Sequence, residues 1–94
     1  MTQRLVSALA RMSAIGLHVP QRVLTNADFE RMFETSDEWI VQRTGIRTRH
    51  VVSEGEYASH MAIGAVDDLL AHHPEVDLRA VEFVIVASST ADYV

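Results

Sequence analysis

A helix followed by a buried strand is predicted by residues 59–87, which read SHMAIGAVDDLLAHHPEVDLRAVEFVIVA. Across residues 59–72 the apolar side chains recur at helical spacing, which predicts a packed amphipathic helix; they are Met61, Ala62, Ala65, Val66, Leu69 and Leu70. Pro74 prevents this helix from continuing, and Asp77 is placed to cap one short turn. Residues 82–87 are almost continuously apolar, which is typical of a strand buried on both faces of a sheet.

A second strand is predicted upstream, at residues 12–19. Its small and β-branched residues are followed by Pro20, which lacks the amide hydrogen that a strand ladder needs. A strand, a long helix and a second apolar strand form a βαβ pattern, which requires a parallel sheet covered on both faces. We therefore expect the α/β class, with this chain as one part of a larger domain.

Two shorter helices are predicted between these elements. Thr25 or Asn26 is expected to cap a helix over residues 27–33. Thr35 and Glu38 have the T-x-x-E spacing of a capping box, in which the hydroxyl accepts from the third amide and the carboxylate accepts from the cap amide. The second helix is therefore expected to begin at this pair.

The second helix carries a candidate binding site. It is expected to run through Arg43 and to end at Gly45, before an extended segment at 46–52. Thr35, Trp39 and Arg43 are spaced four residues apart, so a helix would place them on one stripe. An indole can stack on a purine and a guanidinium can bind phosphate, so the three residues suit a nucleotide-like ligand. Spacing alone favours the structural alternative of a cap, a core tryptophan and an ion-paired arginine.

Composition excludes several classes of function. The 94 residues carry 8 basic and 13 acidic side chains, a net charge of −5, and no cysteine. The acidic balance argues against nucleic acid or an anionic membrane as a partner. The absence of cysteine removes disulfides, iron–sulfur clusters and thiolate nucleophiles from these residues and agrees with a cytoplasmic location. His72 and His73 have no third ligand at a recognised spacing, so no metal site is predicted.

Positive charge concentrates in one short segment that contains Arg43, Arg47, Arg49 and His50. An anion site for phosphate is one interpretation. The alternative, which composition favours, is that Arg47 and Arg49 lie together on one solvated face of the extended segment.

The run at residues 35–50, TSDEWIVQRTGIRTRH, resembles a signature of the β-ketoacyl-acyl-carrier-protein synthase III family. The resemblance is supported by further residues at 16–20, 25–28, 59–72 and 89–93. It covers residues 12–94 as an incomplete first domain and leaves residues 1–11 as an N-terminal extension.

The resemblance implies a thiolase-like fold, which in the full enzyme has α/β/α/β/α layers and forms a homodimer. This chain would cover only the first part of its N-terminal half. The family transfers a short acyl group from acyl-CoA to a cysteine and condenses it with malonyl-acyl-carrier protein, releasing carbon dioxide. Acyl-CoA and acyl-carrier protein are therefore the implied partners, with the CoA thioester as substrate and no permanently bound cofactor.

The resemblance also assigns binding residues. Trp39 matches the tryptophan that stacks on the CoA adenine, Thr35 matches a residue near that base, and Arg43 matches the arginine along the nucleotide and phosphate path. No residue here matches the family's catalytic cysteine, histidine or asparagine, so the 94 residues alone are expected to be inactive. Two alternatives stay open: a related CoA-dependent condensing enzyme of secondary metabolism, and a small non-catalytic α/β module that binds a partner.

Overall fold

The computed structural model describes residues 9–93. Its elements are β1 (Arg22–Thr25), α1 (Asn26–Met32), α2 (Asp37–Thr44), β2 (Thr48–Val51) and α3 (Ala58–His72), followed by a 3₁₀ turn at Leu78–Ala80. Residues 1–8 of the expected extension, and residue 94, lie outside the described range, so the extension at 1–11 stays a prediction.

The strands β1 and β2 form an antiparallel pair. In the sequence, α1 and α2 lie between these two strands. Arg22 lies opposite Val51 at one end, and Thr25 lies opposite Thr48 at the other. β2 falls within the extended segment predicted at 46–52, whereas β1 was not predicted. A four-residue strand carries too little periodicity to be recognised before its partner is known.

The strands predicted at 12–19 and 82–87 are wrong as secondary structure, because neither segment is paired as a strand within the described residues. A ladder needs a neighbouring backbone, whatever the hydrophobicity of the segment. The Leu17 amide donates instead to the carboxylate of Asp68, at 3.0 Å. The side chains from Phe83 to Val86 remain 64–81% exposed.

The first turn of α1 is held by a reciprocal cap. The Asp28 amide donates to the Thr25 hydroxyl at 3.1 Å, and the Thr25 amide donates to the Asp28 carboxylate at 2.8 Å. Arg31 forms an ion pair with the same carboxylate. The hydrogen bonds with Thr25, ahead of the positive charge of Arg31, hold the pKa of Asp28 below its ordinary value of 3.8. The prediction that Thr25 or Asn26 caps this helix is confirmed for Thr25.

The cap of α2 differs from the predicted one by a residue. Ser36, not Thr35, precedes the helix, and its hydroxyl accepts from the Trp39 amide at 3.1 Å. The capping box proposed for Thr35 and Glu38 is therefore wrong, because the chain enters the helix one residue later. Gly45 ends α2 with φ 73°, a left-handed conformation that glycine adopts without a Cβ penalty, as predicted.

The predicted long helix is confirmed as α3, and the segment before β1 packs closely against it. A Cβ on Gly16 would lie 2.6 Å from the Leu69 Cβ, and a Cβ on Gly64 would lie 2.6 Å from Nδ1 of His18. Two glycines therefore allow the backbones to approach at this contact. The predicted cap of the short turn at Asp77 is also confirmed, since its carboxylate accepts from the Arg79 amide at 3.0 Å.

Much apolar surface remains exposed. The described residues have a Cα radius of gyration of 19.2 Å, against roughly 12 Å for a compact domain of this length. Within that range Ile40 is the sole buried hydrophobic side chain, and Asn26 is the sole buried polar one. No helix among residues 9–93 combines the length and the apolar composition that a bilayer crossing needs. The best-buried contacts lie where α1, α2 and β2 meet.

Candidate functional site

The exposed face of α2 presents an aromatic ring and a cation. Trp39 is 54% exposed and lies in the first turn of the helix, three residues after the Ser36 cap. The guanidinium carbon of Arg43 lies 5.3 Å from the centroid of the indole ring. This distance is typical of a cation–π contact. The i, i+4 spacing of these two residues therefore brings them together as predicted.

A shallow groove of about 410 Å³ runs beside Trp39. Its lining is mostly apolar and consists of Phe29, Phe33, Thr35, Trp39, Ile40, Thr44, Ile46 and Arg49. Thr35 lies before α2 and outside it, so the prediction that all three candidates share one helical stripe is wrong for this residue. Thr35 nevertheless lies beside Trp39 in the groove, because the chain turns at Ser36 to enter the helix. The predicted residues are thus adjacent, and a flat ring with apolar walls suits an aromatic ligand.

A buried amide underlies this site, and the sequence analysis did not select it. Asn26 is 2% exposed. Its Nδ2 donates to the Asp37 carboxylate at 2.8 Å and to the Ile46 carbonyl at 2.9 Å. Its Oδ1 accepts from Arg49 Nη2 at 2.7 Å. Asparagine at a helix start is common as a cap, so its residue type gave no sign of these contacts with residues far along the chain.

Arg49 contributes to the packing of the fold. Its guanidinium carbon lies 4.2 Å from the centroid of the Phe29 ring, and its Nη1 donates to the Leu24 carbonyl at 3.2 Å. The prediction that Arg47 and Arg49 share a solvated face is therefore wrong for Arg49, which is half-buried, whereas Arg47 is exposed and precedes β2. The aromatic face and the two acceptors draw Arg49 inward.

The histidines at the end of α3 contact polar groups close to them in the sequence. Nδ1 of His72 lies 2.9 Å from the Asp68 carbonyl, and Nδ1 of His73 lies 3.3 Å from the Glu75 carboxylate. In the described part of the chain no three His, Asp or Glu residues are grouped closely enough to hold a metal ion. His72 thus contacts a carbonyl in the last turn of α3.

The residues after 87 return to the beginning of α3. The Ser59 amide donates to the Asp92 carboxylate at 3.0 Å, and the hydrogen bonds with Ser59 lower the pKa of Asp92 from its ordinary value. A groove of about 510 Å³ lies nearby, lined by residues that include Tyr57, Met61 and Thr90. The face of α2, where the Arg43 guanidinium lies over a half-exposed indole, is the better candidate site for an aromatic ligand.

Comparison with known proteins gives a consistent family. No protein-family model matches the chain. A β-ketoacyl-[acyl-carrier-protein] synthase III 2 from Bacillus anthracis is 48% identical over 89 residues, which cover 95% of this chain and 27% of the relative. A β-ketoacyl-[acyl-carrier-protein] synthase III from a Bradyrhizobium strain is 51% identical over 77 residues, which cover 82% of this chain and 24% of the relative. The chain thus spans about a quarter of the length of these curated relatives.

Solved structures agree. The β-ketoacyl-[acyl-carrier-protein] synthase III from Thermus thermophilus aligns with a TM-score of 0.67 and 57% identity, over 69% of this chain and 20% of that one. The 3-oxoacyl-[acyl-carrier-protein] synthase III from Aquifex aeolicus aligns with a TM-score of 0.60 and 41% identity, over 65% of this chain and 20% of that one. The chain is therefore a homologue of the β-ketoacyl-[acyl-carrier-protein] synthases III and has part of their thiolase-like α/β fold.

Proposed function

We propose that these residues form one wall of the CoA site in a β-ketoacyl-acyl-carrier-protein synthase III. In this proposal Thr35, Trp39 and Arg43 contact the nucleotide end of an acyl-CoA substrate. The observation that carries the proposal is the guanidinium of Arg43 over the half-exposed Trp39 ring, beside an apolar groove. The complete enzyme would be a cytoplasmic homodimer that condenses the acyl group with malonyl-acyl-carrier protein.

The proposed role of the wall is to bind and orient the substrate. The adenine would stack on the indole of Trp39, a contact typically worth about 1–3 kcal/mol per base. Arg43 would bring a fixed positive charge to the phosphates, and the Thr35 hydroxyl could donate to or accept from the edge of the base. Binding of this kind would hold the acyl-CoA in a fixed orientation, so that the later acyl transfer takes place between groups that are already positioned.

The chemical steps would require groups that these residues do not include. Acyl transfer in the family begins at a cysteine thiolate, and this sequence contains no cysteine. We therefore propose that the 94 residues alone do not transfer an acyl group from acyl-CoA. Release of free CoA from acetyl-CoA, followed with a thiol reagent, tests this, and turnover above the uncatalysed rate would contradict it.

Calorimetric titration with CoA tests the binding role. Trp39→Ala is expected to weaken CoA binding about tenfold or more, since the stacking surface is lost. Tyr93→Ala is the matched control, because Tyr93 is an aromatic residue that is 89% exposed and distant from α2 in sequence. Arg43→Ala and the exposed Arg47→Ala form a second pair. Equal effects of the two aromatic variants, or of the two arginine variants, would contradict the proposal.

A further inference from the structure

We propose that Asn26 is a positioning residue for the nucleotide site, acting by bracing both ends of α2 from beneath. This inference rests on the proposed function of Trp39 and Arg43, neither of which Asn26 touches. It assigns to one buried amide the orientation of the helix that carries both side chains.

The contacts of Asn26 bracket the helix. The same Nδ2 group donates to Asp37, the first residue of α2, and to the carbonyl of Ile46, the second residue after its end. A helix rotates 100° and rises 1.5 Å per residue, so a shift of α2 by a single residue would break both hydrogen bonds. The two hydrogen bonds therefore fix both the rotation of α2 about its axis and its position along that axis.

The amide itself is held from the opposite side. Its Oδ1 accepts from Arg49 in β2, and the Arg49 guanidinium lies on Phe29 of α1. In addition, the backbone N–H of Asn26 donates to the Arg47 carbonyl, at 3.2 Å. Since Asn26 is 2% exposed, water cannot replace these partners, and a lost hydrogen bond would leave a buried polar group unsatisfied. The orientation of the side-chain amide is thus determined by partners in α2, in the loop after α2 and in β2.

The site on the outer face depends on this orientation. Trp39 is two residues from Asp37, on a helix of eight residues. On its inner side α2 buries Ile40, an apolar contact that has no directional preference. Hydrogen bonds are directional, so the Asn26 brace decides which way the indole and the guanidinium point.

Asn26→Asp tests the brace, because it keeps the acceptor for Arg49 and turns the two donations into contacts between oxygen atoms. Hydrogen exchange is measured without ligand at the amides of Ile40 in α2, of Gly45 at the C-terminal end of α2, and of His73 at the end of α3. We expect about tenfold faster exchange in α2 alone, and about tenfold weaker CoA binding with unchanged stoichiometry. Gln21→Glu adds the same charge at an exposed position and should change neither quantity.

The double variant Asn26→Asp with Asp37→Asn reverses donor and acceptor in one of the hydrogen bonds. It should recover much of the protection in α2 and of the affinity for CoA. Equal acceleration of hydrogen exchange in α2 and α3, or a fall in stoichiometry at unchanged affinity, would show a merely stabilising role and overturn the proposal.

If Asn26→Asp does not fold, recovery of folding in the double variant supports the brace and failure to recover overturns it. If the parent chain does not bind CoA but α2 alone loses protection, the nucleotide role falls and the brace stands.

Discussion

The Nη2 group of Arg49 donates to Oδ1 of Asn26 across 2.7 Å, and this hydrogen bond joins the middle of β2 to the first residue of α1. The same guanidinium lies on the Phe29 ring. Arg49 Nη1 also donates to the Leu24 carbonyl, so the side chain makes three separate contacts. The sequence pattern had grouped Arg49 with an exposed basic cluster. Arg49 is a structural residue, and Arg43 is the arginine of this segment that lies on the exposed Trp39 ring.

Arg49→Lys should lower the free energy of unfolding by about 1–3 kcal/mol. A lysine cannot donate in two directions from a planar fork while stacking on Phe29. Arg47→Lys, at an exposed position, should change it by less than about 0.5 kcal/mol. Urea unfolding followed by the fluorescence of Trp39, the single tryptophan, measures both variants. Equal stability of the two would show that the Arg49 contacts contribute nothing.

Ser36→Ala should destabilise α2 by about 1 kcal/mol, because the hydroxyl that accepts from the Trp39 amide is lost. Thr35→Ala removes a neighbouring hydroxyl that does not cap the helix, and it should have a much smaller effect on stability. Urea midpoints of the two variants decide between the observed cap and the one predicted from the T-x-x-E spacing. A larger loss from Thr35→Ala would restore the predicted cap.

Gly16→Ala should separate the segment before β1 from α3. The added Cβ would lie 2.6 Å from both the Cβ and the backbone nitrogen of Leu69, so backbone must move, at a cost of about 1–3 kcal/mol. The exchange rate of the Leu17 amide, which donates to Asp68, reports on this contact directly. Ser13→Ala, at an exposed position, is the control and should leave this rate unchanged. Unaltered protection of Leu17 in the glycine variant would exclude the close packing described above.

Acid should weaken α1 through Asp28. Its pKa in the folded chain lies below the ordinary value of 3.8, so the unfolded chain binds the proton more readily. The stabilisation is therefore fully present above pH 3.8 and is lost as the pH falls through the lower folded-state pKa. Asp28→Asn removes the group that titrates, so the free energy of unfolding of this variant should fall less steeply as the pH is lowered through this range. Asp67→Asn removes an exposed carboxylate from α3 and should keep the steeper fall. Identical acid profiles of the two variants would contradict this linkage.

Local sequence was sufficient for the features that depend on near neighbours. The 3.6-residue periodicity predicted α3, and Gly45 predicted the end of α2. The cap of α1 was narrowed to Thr25 or Asn26, and Asp77 was expected to cap the short turn. Each of these features depends on contacts within about four residues. The letters of residues 35–50 also indicated the family, which identity with the relatives confirms. Segments 12–19 and 82–87 show the limit of this reasoning, since apolar content alone does not provide the neighbouring strand that a ladder requires.

Tertiary structure decided the contacts between residues far apart in the chain. β1 exists because Arg22–Thr25 meets Thr48–Val51, and Asn26 became the buried centre of the fold because Asp37, Ile46 and Arg49 converge on it. The sequence by itself determined which helices form and where they end, since a hydrogen bond to a near neighbour is available in almost any context. The burial of Asn26, and with it the way α2 presents Trp39, depended on partners that lie 11 to 23 residues away in the sequence. Only the folded chain brings these partners together.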